Sequence, residues 1–179
     1  GIWLWEPDQG HLNMDGNRVV ARSVLDALGF KDVLLPATMT YQVLPGLVTT
    51  WKMKAVAKGE PSVDEKTVLG LRPDDSWKTI TLPEQEPQDS WWPDQVRQEG
   101  YCMSLEKLLG KAERYVGVTT LASPQARKAC LNTGGHLSTA WLNGKQVFKS
   151  SGVWNGFHAG TERIPVDLLA GDNTVVIET

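Results

Sequence analysis

The chain has 179 residues, enough for one domain with a full core or one domain plus a substantial extension. It is 41% hydrophobic and 22% charged, the composition of an ordinary globular chain and not of a disordered one. A net charge of −3 argues against a nucleic-acid binder, which needs a basic face, and no apolar run reaches the length of a membrane span.

Residues 1–17 read as irregular, with Trp3 and Trp5 alternating with Ile2 and Leu4 as in an edge strand. Asp15 or Asn17 can cap a helix over Arg18–Leu28, in which Val20, Val24, Leu25 and Leu28 share one face and Gly29 ends the run. Phe30–Leu35 reads as a strand stopped by Pro36. Leu47–Ala57 reads as a strand, with Leu47, Thr49, Trp51, Met53 and Ala55 on one face and Val48, Thr50, Lys52 and Lys54 on the other. A polar, turn-rich stretch over 58–76 leads to a strand at Trp77–Leu82, stopped by Pro83. Residues 83–100 form a long loop around Trp91 and Trp92, and loops of that length are often binding loops or linkers.

The remainder is dense in strand signals: Tyr101–Leu109, Arg114–Leu121, Arg127–Asn132, Leu137–Leu142, Gln146–Lys149, Thr161–Val166 and Thr174–Glu178. Ser123-Pro124, Gly134-Gly135, Asn143-Gly144 and Gly171-Asp172-Asn173 separate several of them, and a glycine-rich loop spans 150–160. Short strands at this spacing without intervening helices predict an all-β, antiparallel sandwich with one short N-terminal helix. The expected division is an N-terminal extension over 1–70, packed on a sandwich over 71–179. Cys102 and Cys130 fit either a disulfide between neighbouring strands or two buried free thiols. With no CxxC and no Cys/His cluster, no zinc site is expected.

The run AWLNGKQVF, a glycine-rich loop and then IPVDLLAGDNTVVIE resemble the end of galactose-binding-like jelly-roll domains. Trp141, Leu142, Asn143, Gly144, Leu168, Gly171 and Asn173 fill the places of that pattern, and DDSWKTITLP at Asp74–Pro83 is similar to the opening strand of such domains. The match covers roughly the last hundred residues. Such domains occur as carbohydrate-binding modules and as non-catalytic parts of glycoside hydrolases. The resemblance therefore implies a polysaccharide or oligosaccharide partner, attachment to a catalytic domain, and an extracellular or periplasmic setting. It implies no cofactor beyond a structural calcium ion, for which Asp15, Asp167 and Asp172 are candidate oxygen ligands. The motif residues themselves have structural work: Asn143-Gly144 suits a two-residue turn at positive φ, and Asn173 can bond turn backbone.

Catalytic motifs are not evident. There is no GxSxG, HExxH or phosphate-cradling loop, and His11, His136 and His158 are scattered. Glu84, Glu86, Asp89 and Asp94 could supply the paired carboxylates of a glycosidase, but an acidic loop is usually just solvated. A sugar site needs a flat aromatic for the C–H face of the ring, with amides, carboxylates or arginine for its hydroxyls. Of the eight Trp, beside only three Tyr and three Phe, more than half are expected in the core, and the remainder are the functional clue. Two loops combine the right groups: 89–95 with Trp91 and Trp92, and 154–158 with Trp154, Asn155 and His158, followed by Glu162 and Arg163. Trp154 with one of Trp91 or Trp92 is the expected stacking platform. Trp77 and Trp141, inside strands, are expected in the core. The competing readings are a sandwich that serves structure or protein contact alone, and an enzyme whose active site lies in the N-terminal part.

Overall fold

The computed structural model describes residues 12–37, 46–82, 103, 105–134, 137–152 and 162–179. The chain divides into two compact units, one of residues 1–47 and 83–102, the other of residues 48–82 and 103–179. The second unit thus takes in a strand that precedes residue 71.

In the first unit, helix α1 spans Met14–Ala27. It starts earlier than the sequence reading placed it, because Asn13 is the cap: its side chain accepts a hydrogen bond from Gly16 N at 2.9 Å. Asp15 lies in the first turn, where a negative charge meets the positive end of the helix dipole. The helix ends in a Schellman arrangement. Phe30 N donates to Leu25 O, Gly29 N donates to Asp26 O, and Gly29 holds a φ of 85°.

The strand expected at Phe30–Leu35 does not form: the segment is turn and irregular chain. Arg22 explains why. Its guanidinium donates to Phe30 O at 2.7 Å and to Val33 O at 2.6 Å, taking carbonyls that a strand partner would need. The same side chain pairs with Asp26 one helical turn away at 2.8 Å.

Among the described residues every strand pairing of the second unit is antiparallel. Its strands are β1 (Thr50–Val56), β2 (Lys78–Thr81), β3 (Arg114–Ser123), β4 (Arg127–Thr133), β5 (Thr139–Leu142), β6 (Lys145–Lys149), β7 (Glu162–Leu168) and β8 (Gly171–Glu178). Six form one sheet in the order β2-β1-β3-β8-β5-β6, and β4 pairs with β7 in a second. A five-residue helix, α2 (Leu105–Leu109), stands where a strand over Tyr101–Leu109 was expected. Leu, Glu and Lys are strong helix formers, and Gly110 closes the turn at a φ of 83° with its N–H on Glu106 O.

The large sheet is buried on both faces, so Val175 and Val176 are adjacent in sequence and both buried. Val175 joins Leu142, Ile164, Val166 and Leu168 in the layer between the two sheets, with Trp51, Leu121, Ala129 and Leu131 packed around it. Val176 belongs to the opposite layer, with Val56, Val116, Val118 and Trp141. That layer is closed by the β1–β2 connection, which brings in Val68 and Trp77 and packs Val63 and Leu71 alongside. Trp77 and Trp141 are core residues, as expected, although Trp77 stands one residue before β2 instead of inside a strand. The two faces of β1 are those read from the sequence: Trp51 and Met53 look toward Gly117, and Lys54 lies over the Trp77 ring at 5.5 Å.

Asp64 and Asp74 shape the β1–β2 connection. Asp64 Oδ1 accepts from Thr67 Oγ1 at 2.8 Å and Thr67 N at 2.9 Å, fixing the turn before a short 3₁₀ segment at Val68–Gly70. These bonds to Thr67, led by its hydroxyl, hold the Asp64 carboxyl below its ordinary value. Ser76 does the same for Asp74, again through its hydroxyl first and its backbone N–H second.

Gly117 stands where side chains from both neighbouring strands close over the backbone of β3. A Cβ there would lie 3.0 Å from Met53 Cε, 3.1 Å from Ile177 Cγ1 and 3.3 Å from Trp51 Cε3. Gly117→Val should therefore destabilise the chain by about 1–3 kcal/mol through overpacking, despite the better strand propensity of valine. Urea denaturation would show a lower midpoint; an unchanged or higher midpoint would contradict this close packing.

Candidate functional site

The residues that carry the resemblance interlock. Asn143 and Gly144 form the β5–β6 turn at φ values of 51° and 82°, the left-handed region that this turn requires. A Cβ on Gly144 would run into the Leu69 side chain. Asn173, fully buried near the start of β8, binds three carbonyls through Nδ2: Leu169 O at 2.9 Å, Gly171 O at 3.1 Å and Leu121 O at 3.3 Å. Its Oδ1 accepts from Leu169 N at 2.8 Å and from Asn143 Nδ2 at 2.9 Å. Asn143 in turn accepts from Thr174 N at 2.9 Å. The β5–β6 turn and the β7–β8 turn are therefore one hydrogen-bonded unit.

Of the expected sugar-binding residues, Arg163 is placed on the outer face of the two-stranded sheet. It is exposed, at the second position of β7, opposite Asn132 of β4. Cys130 and Pro165 pair next along the same face, then Lys128 and Asp167. Cys130 is a free, exposed thiol, not a buried one, with Sγ 3.5 Å from Asn132 Oδ1. Lys128 Nζ meets Asp167 at 3.3 Å. Trp91, Trp92, Trp154, Asn155 and His158 lie outside the described residues, as do Cys102, His11, His136 and the acidic group Glu84, Glu86, Asp89 and Asp94.

This face presents a guanidinium fork and a planar amide side by side, a pair that can donate to and accept from vicinal hydroxyls. Asn132 was missed in the sequence reading because its place beside Arg163 depends on the register of β4 against β7. The outward alternation of Lys128, Cys130 and Asn132 was the available signal, but it names no cross-strand partner.

Two of the three aspartates considered for calcium have a cationic neighbour: Asp15 faces Arg18 at 3.6 Å and Asp167 faces Lys128. Among the described residues no group of three or more His, Cys, Asp or Glu side chains could hold a metal ion. Among them, too, no helix is long and apolar enough to cross a membrane.

No family model matches the chain, and no curated protein matches it. Among solved structures it is similar to a Faecalibacterium prausnitzii β-glucuronidase, at 15% identity over 81% of this chain and 22% of that one, with a TM-score of 0.41. A β-glucuronidase of an uncultured Clostridium gives 15% identity over 82% of this chain and 24% of that one, with a TM-score of 0.40. A Bifidobacterium dentium β-glucuronidase, solved with coumarin-3-O-glucuronide, gives 15% identity over 82% and 21%, also with a TM-score of 0.40. The chain thus spans about a fifth to a quarter of the length of these enzymes.

Proposed function

We propose that this chain is a non-catalytic carbohydrate-binding or accessory module of a larger, exported polysaccharide-degrading protein, built on a galactose-binding-like jelly roll. The observation that carries this reading is the Asn143–Asn173 interlock. It joins, in a single structural unit, the two sequence motifs on which the resemblance rests. On the second unit the sugar stacks on Trp154, with Asn155, His158 and Arg163 meeting its hydroxyls; Trp91 and Trp92, on the first unit, are proposed as stacking aromatics in their own right. Asn132 joins that set through its position opposite Arg163.

Single modules of this kind bind weakly, with dissociation constants of micromolar to millimolar, roughly 8 to 4 kcal/mol. Affinity electrophoresis of the chain through gels containing plant, algal and host polysaccharides should show retardation on at least one. On that polysaccharide Trp154→Ala should abolish the retardation, since loss of a stacking aromatic removes the largest apolar contact. Arg163→Ala should weaken it about tenfold or more, the scale of a charge-assisted hydrogen bond. Free mobility on every polysaccharide, or full retention by Trp154→Ala, would leave the sandwich with a structural or protein-contact role instead.

A further inference from the structure

The layer between the large sheet and the β1–β2 connection contains polar atoms that no group among the described residues satisfies. Trp141 Nε1 and Thr139 Oγ1 are buried, and among the described residues neither has a hydrogen-bond partner. They are two apart on β5, so they lie on one face of the strand. Trp141 packs with Val116 and Val176, which fixes that face as the one covered by the connection. Glu178 is on the same face, two residues beyond Val176 on β8 and in register with Val116. It is also the direct cross-strand partner of Thr139. Opposed side chains in an antiparallel pair have Cβ atoms about 4.5–5.5 Å apart, a span that one water molecule bridges well.

The chemistry of the three groups is complementary to water. Indole N–H only donates, the carboxylate only accepts, and the threonine hydroxyl does either. The Glu178 carboxylate is already paired with Arg114, so the group as a whole calls for a neutral molecule and not an ion. Buried waters typically make about three hydrogen bonds to groups that are otherwise unsatisfied. We propose that Thr139, Trp141 and Glu178 together hold a buried water molecule that is an integral part of the fold. It explains how a tryptophan with a polar handle sits in an otherwise apolar layer of the sandwich.

Two measurements on the full 179-residue chain test this. A crystal structure that resolves ordered solvent should show a water within hydrogen-bond distance of Trp141 Nε1 and of at least one of Thr139 Oγ1 and the Glu178 carboxylate. Empty density there, or a protein group in that place, would overturn the proposal. Urea denaturation of Thr139→Val supplies the second. A hydroxyl that truly lacked a partner would be better replaced by a methyl group, and the variant would be as stable as the parent or more so. A hydroxyl that anchors a water shared with Trp141 and Glu178 should instead raise the unfolding equilibrium constant about tenfold on replacement, with Thr139→Ser restoring most of the loss. An unchanged or lowered constant for Thr139→Val would refute the shared site.

Discussion

Asn173→Ala should destabilise the chain by about 3–5 kcal/mol, a large part of the roughly 5–15 kcal/mol that holds a typical domain folded. The amide is buried and touches five partners, four of them backbone groups around the β7–β8 turn and at the end of β3. Alanine is too short to replace any of them, and each backbone group left buried without a partner costs about 1–3 kcal/mol. Some of that cost is relieved where the turn admits solvent, which keeps the expected sum below the simple total. Asn173→Asp should fare no better, because it loses the donors and sets a carboxylate against three carbonyl oxygens. Asn143→Gly is the informative control. Glycine accepts the φ of 51° without strain, so only the bonds to Asn173 and Thr174 are lost and the penalty should be near 1–2 kcal/mol. Thermal or urea unfolding of the three variants orders them. Equal losses for Asn173→Ala and Asn143→Gly would show that the buried amide does no more than its partner.

That interlock also shows what a sequence can and cannot disclose. Asn143-Gly144 was readable because turn chemistry is local: a few residues decide the backbone angles. Gly171-Asp172-Asn173, expected as a turn, instead opens β8 and pairs with Leu121–Ser123 of β3, a register that local residues do not disclose. The bond between Asn143 and Asn173 was not readable either, since it joins residues 30 apart that only the pairing of β5 with β8 brings together. The same limit applies to the proposed sugar contacts. Arg163 was legible as a polar residue at the mouth of a strand, whereas Asn132 beside it depends on the β4–β7 register.

The two misread elements failed for different physical reasons. Phe30–Leu35 has strand-like composition, but Arg22 on α1 takes its carbonyls. Leu105–Leu109 is apolar enough for a strand, but its helix propensity and the Gly110 stop decide the outcome. In α1 the periodicity was right and the cap was wrong, because Asp15, Asn17 and Asn13 are all competent caps and sequence alone ranks them poorly. The double burial of the large sheet was hidden too. The β1–β2 connection is polar in composition, yet it contributes Val68 and Trp77 to a core layer.

Arg114 fastens that connection in place, and its removal should be comparably damaging. Its Nη1 reaches the Glu178 carboxylate and Ser62 Oγ, the latter at 2.9 Å, while Nη2 reaches Glu60 O. Glu178 is almost completely buried and the Arg114 side chain is only a quarter exposed, so solvent screens this pair little. Arg114→Ala leaves a buried carboxylate without its counter-charge and frees the start of the connection, for an expected loss of about 3–5 kcal/mol. Arg114→Lys should recover little of it, because one ammonium cannot reproduce a planar fork that meets three acceptors. The decisive comparison is the double variant Arg114→Met with Glu178→Leu. Replacing both charges by apolar groups of similar size removes the desolvation cost along with the attraction, so stability should rise well above that of Arg114→Ala while staying below the parent by the lost bonds to Glu60 and Ser62 and the lost acceptor at Glu178. Should the double variant remain as unstable as Arg114→Ala, the bonds to Glu60 and Ser62 would be the larger part of the clamp. Arg114 and Glu178 lie on the face of the large sheet covered by the β1–β2 connection, whereas Arg163 stands on the outer face of the two-stranded sheet. A stable double variant should accordingly keep the polysaccharide retention of the parent. The clamp then bears on folding alone, and the outer face of β4 and β7 can be altered for binding without disturbing it.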